Sequence, residues 1–317
     1  MSQGVWLTNS LGGFLYSPKL SKQMREQAAP MFVFRQFVDL SEKGLGANKG
    51  DRVPYVKRLR IDSRGGTLVE TNTMPKNTIK FITDSVAVTE YGNGVDYTQK
   101  LETLAEFNMK DQYQKGLVQD QKDTIDNAVA TQFQSAKFKF VCTNTATTVF
   151  TSNGTATATA SANMSDKNWR DVVDQLMISQ VPKFKEGDYF MALLSVKSMR
   201  GVYDYLQAVA QYAQPEFRFK NEVGQYYSAR GVAENNILSN TKGSGSAYGE
   251  ALFFGDEAVV ESVALPEELR YEEEDVGRSK TLAWYAILGF KKMWDITNDD
   301  LNSTGKGIER IGHVTSA

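Results

Sequence analysis

Hydrophobic and polar positions change period several times along this chain, and each change marks an element. From Arg52 to Ile61, Val53, Tyr55, Leu59 and Ile61 alternate with Pro54, Lys57, Arg58 and Arg60, the period of a strand whose second face is cationic. Ile79 and Phe81, then Val86 and Val88, continue the alternation in a second strand. A glycine- and threonine-rich connection, Asp62 to Asn77, joins the two, so residues 51–91 read as a long, basic, two-stranded arm. Immediately afterwards the period lengthens. From Thr98 to Lys137 there is no proline and a single glycine, Gly116. Leu101, Leu104, Ala105, Met109, Tyr113, Leu117, Ile125, Val129 and Phe133 fall three and four apart as one apolar stripe. Glu102, Glu106, Lys110, Asp111, Lys115, Asp120, Lys122, Asp123 and Asp126 form the opposite, polar face. The pattern predicts one long helix, roughly forty residues and roughly 60 Å at about 1.5 Å per residue. An arm and a strut side by side are devices for reaching neighbours, which makes assembly the first expectation.

Upstream, residues 1–15 contain small and polar residues with Gly12-Gly13, Ser17-Pro18 opens a short amphipathic helix, and the whole reads as an N-terminal arm that ends in the loop SEKGLGANKGD. Downstream, Phe138 to Met164 is rich in Thr, Ala, Ser and Asn, and Asn153-Gly154 predicts the turn of a β-hairpin. Ser165 is the expected cap of a helix carrying Trp169, Val172, Val173, Leu176 and Met177. The near-continuous apolar run Asp188–Ser195 predicts a buried strand, and Val196–Tyr212 a second amphipathic helix, so this stretch reads as a compact α/β unit. Glu222–Leu238 reads as two short strands around Ser228-Ala229, Leu252–Gly255 as a strand, and Asp256–Val263 as a short helix or strand. Thr281–Trp294 is a hydrophobic element that returns to a core, and His313 sits in a polar tail. The expected class is therefore α+β, and 317 residues exceed the usual span of one core, which predicts two domains or one with excursions.

Composition narrows the function classes. With 36 basic against 38 acidic residues the chain lacks the basic footprint of a free-standing nucleic-acid binder. One cysteine, Cys142, excludes an intramolecular disulfide framework, and no Cys/His cluster has zinc spacing. No signal-peptide pattern and no membrane-length apolar run is present, so a soluble protein that folds in the cytoplasm is expected. The single histidine leaves no base for a Ser-His-Asp or Cys-His arrangement. GLGANKGD has its lysine in the wrong order for a phosphate loop, and the pairs Glu267-Glu268 and Asp299-Asp300 read as exposed charge. Cys142 and Trp284 are expected in the core. No cofactor, no metal and no enzymatic activity are expected.

Charge is nonetheless segregated along the chain. Arg52, Lys57, Arg58, Arg60, Arg64, Lys76 and Lys80 make the arm cationic. Between Asp256 and Asp275, by contrast, Glu257, Glu261, Glu267, Glu268, Glu272, Glu273 and Glu274 face only Arg270. An arm of one sign and a surface of the other suit docking between subunits, where complementary charge sets register more than affinity. The candidate inter-subunit contacts are Arg52, Lys57, Arg58, Arg60, Arg64 and Lys80 on the arm, with Glu267, Glu268, Glu272, Glu273 and Glu274 opposite.

The order of these elements resembles the major capsid proteins of tailed bacteriophages, with the Hong Kong 97-type fold. GDRVPYVKRLRID resembles the base of the extended loop in the podophage-type branch, and VTEYGNGVDYTQKLETL its entry into the spine helix. EVGQYYSARGVAENNIL, followed by FFGDEAVV, is similar to its glycine-bearing hairpin and return. Each motif is short; their common order over most of the chain carries the resemblance. It implies an N-terminal arm (1–50), an extended loop hairpin (51–97), and a peripheral domain with spine helix and β-hairpin (98–164). An axial α/β domain (165–262) and a return to the peripheral domain with a C-terminal tail (263–317) complete it. It further implies an icosahedral shell of pentamers and hexamers around double-stranded DNA, assembled in the host cytoplasm. Portal, scaffolding and decoration proteins are the expected partners. Gly92, Gly94 and Gly116 are the candidate hinges for a shell that expands. An encapsulin-like compartment shell is the alternative that the same resemblance allows.

Overall fold

The computed structural model describes residues 33–40, 51–61, 65–70, 73–74, 76–105, 108–184, 187, 189–210, 222–234, 238, 249–301 and 306–317. Residues 1–32 of the expected N-terminal arm, Arg64, and residues 239–248 lie outside them.

A 3-10 turn, Arg35–Phe37, leads into β1 (Asp39–Leu40), and the arm follows as β2 (Arg52–Arg58) and β3 (Phe81–Ala87). Then come β4 (Thr89–Thr98), α1 (Gln99–Leu104), α2 (Met109–Gln134), β5 (Phe138–Asn144) and β6 (Thr147–Thr151). The middle of the chain forms α3 (Asp166–Ile178), β7 (Phe190–Leu194), α4 (Val196–Ala210), β8 (Glu222–Tyr226), β9 (Ala229–Ala233) and β10 (Gly249–Phe254). It closes with β11 (Val259–Glu274), β12 (Ser279–Lys292), α5 (Ile296–Asp299) and β13 (Ile311–Ser316). The class is α+β, as expected.

The strands form a four-stranded sheet ordered β1-β11-β12-β4, a seven-stranded sheet ordered β6-β5-β13-β10-β7-β9-β8, and the two-stranded arm β2-β3. The long antiparallel ladder of β11 and β12 runs from Val259↔Lys292 at one end to Glu274↔Ser279 at the other, and β4 extends it on the far side of β12. Helix α2 crosses this sheet and buries Met109, Leu117 and Ile125 against Tyr97, Leu282, Trp284, Ala286 and Leu288. Asp120 fastens the crossing: its Oδ2 accepts the Trp284 indole N–H and the Asn93 amide, each at 2.9 Å.

The large sheet is covered on both faces, which explains the unbroken apolar runs of β7 and β10. Phe190, Ala192, Leu194, Ala251 and Phe253 pack on α3 through Trp169, Val172, Val173 and Leu176. The alternate positions Met191, Leu193, Leu252 and Phe254 pack on the other side against Phe133, Phe184 and the Val33–Val38 segment. Ser165 and Asn168 close a capping box on α3, as the sequence predicts for that start.

Four expectations are corrected. The long helix is two: Ala105 turns extended (ψ 140°), Asn108 caps a new start, and α2 at 26 residues spans about 39 Å. The hairpin in residues 138–164 exists, but its turn lies between Asn144 and Thr147. Gly154 is left-handed (φ +86°) and turns the chain back after β6, its N–H donating to the Lys137 carbonyl at 2.9 Å. The supposed polar tail is β13, which lies between β5 and β10 inside the large sheet with every residue buried. Asp126, placed on the polar face of the helix, is buried and accepts the backbone N–H groups of Val33 (3.2 Å) and Arg35 (2.9 Å). The large sheet takes strands from residues 138–151 and 311–316 as well as from residues 190–254.

Candidate inter-subunit contact surface

The arm's register runs from Arg52↔Ala87 to Arg58↔Phe81, and the ladder continues one step further with Leu59 N–H donating to the Lys80 carbonyl at 2.9 Å. Alternation along β2 turns Val53, Tyr55, Lys57 and Leu59 inward and leaves Arg52, Pro54, Val56, Arg58 and Arg60 exposed. Pro54 is tolerated because β2 pairs only with β3, so its missing N–H faces an open edge. Beyond the body the arm keeps large apolar groups in water: Val56 (64% exposed), Phe81 (62%) and Met74 (64%) lead a set that includes Leu68 and Val69.

Lys57 therefore belongs to the inward face that its parity with Val53, Tyr55 and Leu59 dictates, not to the cationic outer face with which the sequence reading grouped it. Its Nζ lies 2.9 Å from Asp84 Oδ2 and 2.8 Å from Asp299 Oδ2, and its side chain is 1% exposed. Asp84 also accepts the Tyr55 hydroxyl at 3.0 Å and an ion pair from Lys291. Burial alone would raise the Asp84 carboxyl, but hydrogen bonds from Lys291, Lys57 and the Ser85 N–H outweigh it and hold it well below the usual carboxylate range. Burial and then the Asp84 charge push the Tyr55 hydroxyl well above its ordinary value. This cluster lines a cavity of about 390 Å³ at the base of the arm and ties it to β12 and α5. Asp299 is accordingly a buried ion-pair partner, where the sequence suggested exposed charge.

Arg52 and Arg58 are exposed, Arg60 donates to the Gln180 side-chain carbonyl, and Lys80 Nζ donates to the Leu301 carbonyl at 3.3 Å. The acids sort along β11. Glu261 and Glu267, near the body, hold the guanidinium of Arg35. Glu268 pairs with Arg270 at 2.6 Å, while Arg270 also lies 4.2 Å over the Tyr285 ring. Glu272, Glu273 and Glu274 are exposed at the far end of the ladder, beside the left-handed tip residues Asp275 and Val276. The structure thus separates the cationic and anionic candidates within one chain.

Gly92 and Gly94 lie inside β4, paired with Tyr285 and Ala283 of β12. A Cβ at Gly92 would come within 2.9 Å of the Trp284 carbonyl oxygen, so close strand packing accounts for that glycine. Gly116 is exposed on α2 with open space where a Cβ would stand.

Sequence reasoning missed a second polar cluster, in the core. His313 Nε2 lies 2.7 Å from Glu250 Oε1, and its Nδ1 lies 2.6 Å from Lys139 Nζ. Burial lowers the His313 pKa, opposed by the Glu250 hydrogen bond and assisted by the Lys139 charge; burial likewise lowers Lys139 to about 8. No nucleophile completes this group into a triad among the described residues. Cys142 is buried, and desolvation pushes its thiol up to about 12. Among the described residues no group of three or more His, Cys, Asp and Glu is arranged to hold a metal ion, and no helix is long and apolar enough to cross a membrane.

No family model and no curated protein matches the chain in sequence. Solved structures match it in shape. The capsid of Ralstonia phage GP4 aligns over 95% of this chain and 94% of its own, with TM-score 0.68 and 16% identity. The capsid of cyanophage P-SCSP1u aligns over 96% and 93%, with TM-score 0.67 and 11% identity. The head structure of Helicobacter pylori bacteriophage KHP40 aligns over 95% of both chains, with TM-score 0.69 and 9% identity. At these identities the comparison shows a common fold, shared from one end of each chain to the other.

Proposed function

We propose that this chain is the major capsid protein of a tailed phage, a subunit that self-assembles into the icosahedral shell around double-stranded DNA. The observation that carries the reading is the arm. A two-stranded hairpin is marginal alone, and one that exposes Val56, Leu68, Val69, Met74 and Phe81 beside Arg52 and Arg58 is built to lie on another subunit. The fold shared with phage capsids supplies the neighbours.

In this reading the chain follows the Hong Kong 97-type plan: β2 and β3 are the extended loop, α2 is the spine helix, and the long sheet beneath it is the core of the peripheral domain. The large sheet with α3 and α4 is the axial domain, gathered around five- and six-fold positions. Arg52, Arg58, Arg60, Arg64 and Lys80 meet a neighbour's Glu267, Glu268, Glu272, Glu273 and Glu274, while Lys57 anchors the arm within its own chain. The role is mechanical and needs no active site. Many weak contacts per subunit sum to a stable shell. Portal, scaffolding and decoration proteins are its partners, the virion its location and the host cytoplasm its place of assembly. Gly116 is a hinge candidate if the shell expands; Gly92 and Gly94 are weaker ones, given their packing. The phage reading is preferred over a protein-filled compartment because the structures that share the fold are phage capsids and heads.

The test is charge reversal. Arg58→Glu with Arg60→Glu should lower the yield of closed shells at physiological salt by at least tenfold while the monomer keeps its helix content. Shells formed at the wild-type yield would contradict the docking role of the arm.

A further inference from the structure

A second cavity, about 320 Å³, opens near the base of the arm, and its charged lining is entirely cationic: Arg58, Arg60, Lys306 and Arg310. Arg310 is built in. Its Nη1 donates to the Asp256 carbonyl and to Glu257, each at 2.9 Å, its guanidinium lies 4.7 Å from the Trp294 ring centre, and its side chain is 12% exposed. Two buried donors in this lining, Arg310 Nε–H and the Trp294 indole N–H, have no acceptor among the described residues. Both are closed off from the cavity, so a docked group would act on them through charge alone, and the exposed cations Arg58, Arg60 and Lys306 are the groups it would touch. Burial also lowers the Arg310 pKa despite Glu257, a cost that a further carboxylate would relieve.

The chain carries that carboxylate at the wrong end to serve itself. Trp294 follows the end of β12 at which Lys292 pairs with Val259, whereas Glu273 pairs with Lys280 at the other end of the same ladder. Twelve strand steps separate Lys280 from Lys292 along β12, about 40 Å at about 3.3 Å per residue. A rigid antiparallel ladder cannot fold back over that distance. A site at one end and its complement at the other make a head-to-tail contact, the kind that closes into rings when the rotation is right.

We infer that this pocket is a docking site for the Glu272–Glu274 end of the β11–β12 hairpin of a second copy of the chain. The inference rests on the capsid reading and adds to it the receiving site. A protein carboxylate suits the pocket better than a DNA phosphate: a recess of this size takes one or two side chains, whereas a duplex needs a basic stripe running along its backbone.

The experiment uses the full chain with Lys306, which is exposed, as the probe position on the pocket. Lys306→Glu and Glu273→Lys should each lower shell yield at least tenfold, and the two together should restore it to within about twofold. Cysteines at positions 306 and 273 should cross-link neighbouring subunits into ladders under oxidation, with the buried Cys142 silent. If wild-type shells form but neither rescue nor ladder appears, the pocket assignment is overturned and the capsid reading stands. If Lys306→Glu leaves shell yield intact and reduces packaged DNA, the pocket faces the genome and the assignment is also overturned. If the wild-type chain forms no shells, both readings fail.

Discussion

The ammonium of Lys57 has exchanged water for two carboxylates, Asp84 on the arm and Asp299 on α5, so it is the buried bridge among the contacts that tie the arm to the body. A buried ion pair that loses one partner leaves the other charge stranded, at a typical cost of about 3 kcal/mol. Lys57→Ala should therefore lower the urea midpoint of the chain and speed amide exchange in β2 and β3 before it is felt in the large sheet; unchanged exchange in the arm would show that the cluster does not anchor it. The pH dependence has a definite sign. Asp84 is held below its ordinary value near 3.8, so its contribution is complete above that pH and is lost as pH falls through the native value. His313 titrates on a different branch: its native pKa lies below the ordinary 6.5, so its share of stability is complete above about pH 6.5 and declines as pH drops further. His313→Gln should flatten the stability profile below about pH 6.5, measured by denaturant midpoints. A profile of the same slope in the variant would exclude His313 as its source.

Glycines separate what an element needs from what it tolerates. At Gly289 of β12 a Cβ would press on the Ala87 carbonyl oxygen and the Val86 side chain, so the arm's second strand runs close over β12 only because that position is bare. At Gly116 a Cβ would meet nothing. Gly116→Ala should stabilise α2 by about 1 kcal/mol, while Gly289→Ala should destabilise the chain and release the arm; thermal melts that order the two variants the other way would contradict this packing.

The same scale shows what could be read from the chain. The arm, α3, β7, the β8–β9 hairpin and β12 were legible because each shows one period, or a fully apolar run, between clear turn residues. The interruption between α1 and α2 was not, because Ala105 and Asn108 are neither glycine nor proline; the available signal was two capping residues, Thr98 and Asn108, ten positions apart. Strand β13 was hidden because His313, Thr315 and Ser316 look like tail residues until the strands beside them bury them. The contact surface was legible as segregated charge. The inward place of Lys57 was legible too, from its parity with Val53, Tyr55 and Leu59; its partner Asp299, far away in sequence, was not.

For the whole molecule, the near-neutral balance of the sequence conceals local segregation: exposed Glu272, Glu273 and Glu274 at one end of the β11–β12 ladder, and a cavity near the base of the arm whose charged lining is cationic. In the proposed reading, complementary ends of this kind would select the register between copies in a ring or shell. The buried polar clusters at Lys57, Asp126 and His313 hold the chain's own segments together, whereas the large apolar groups of the arm stay exposed. Cryo-electron microscopy of the purified native particle, with nucleic acid content measured on the same sample, tests this most directly. The account predicts closed icosahedral shells containing double-stranded DNA, with residues 52–88 of each subunit lying on an adjacent one. Soluble monomers alone, or shells filled with protein and free of DNA, would contradict it.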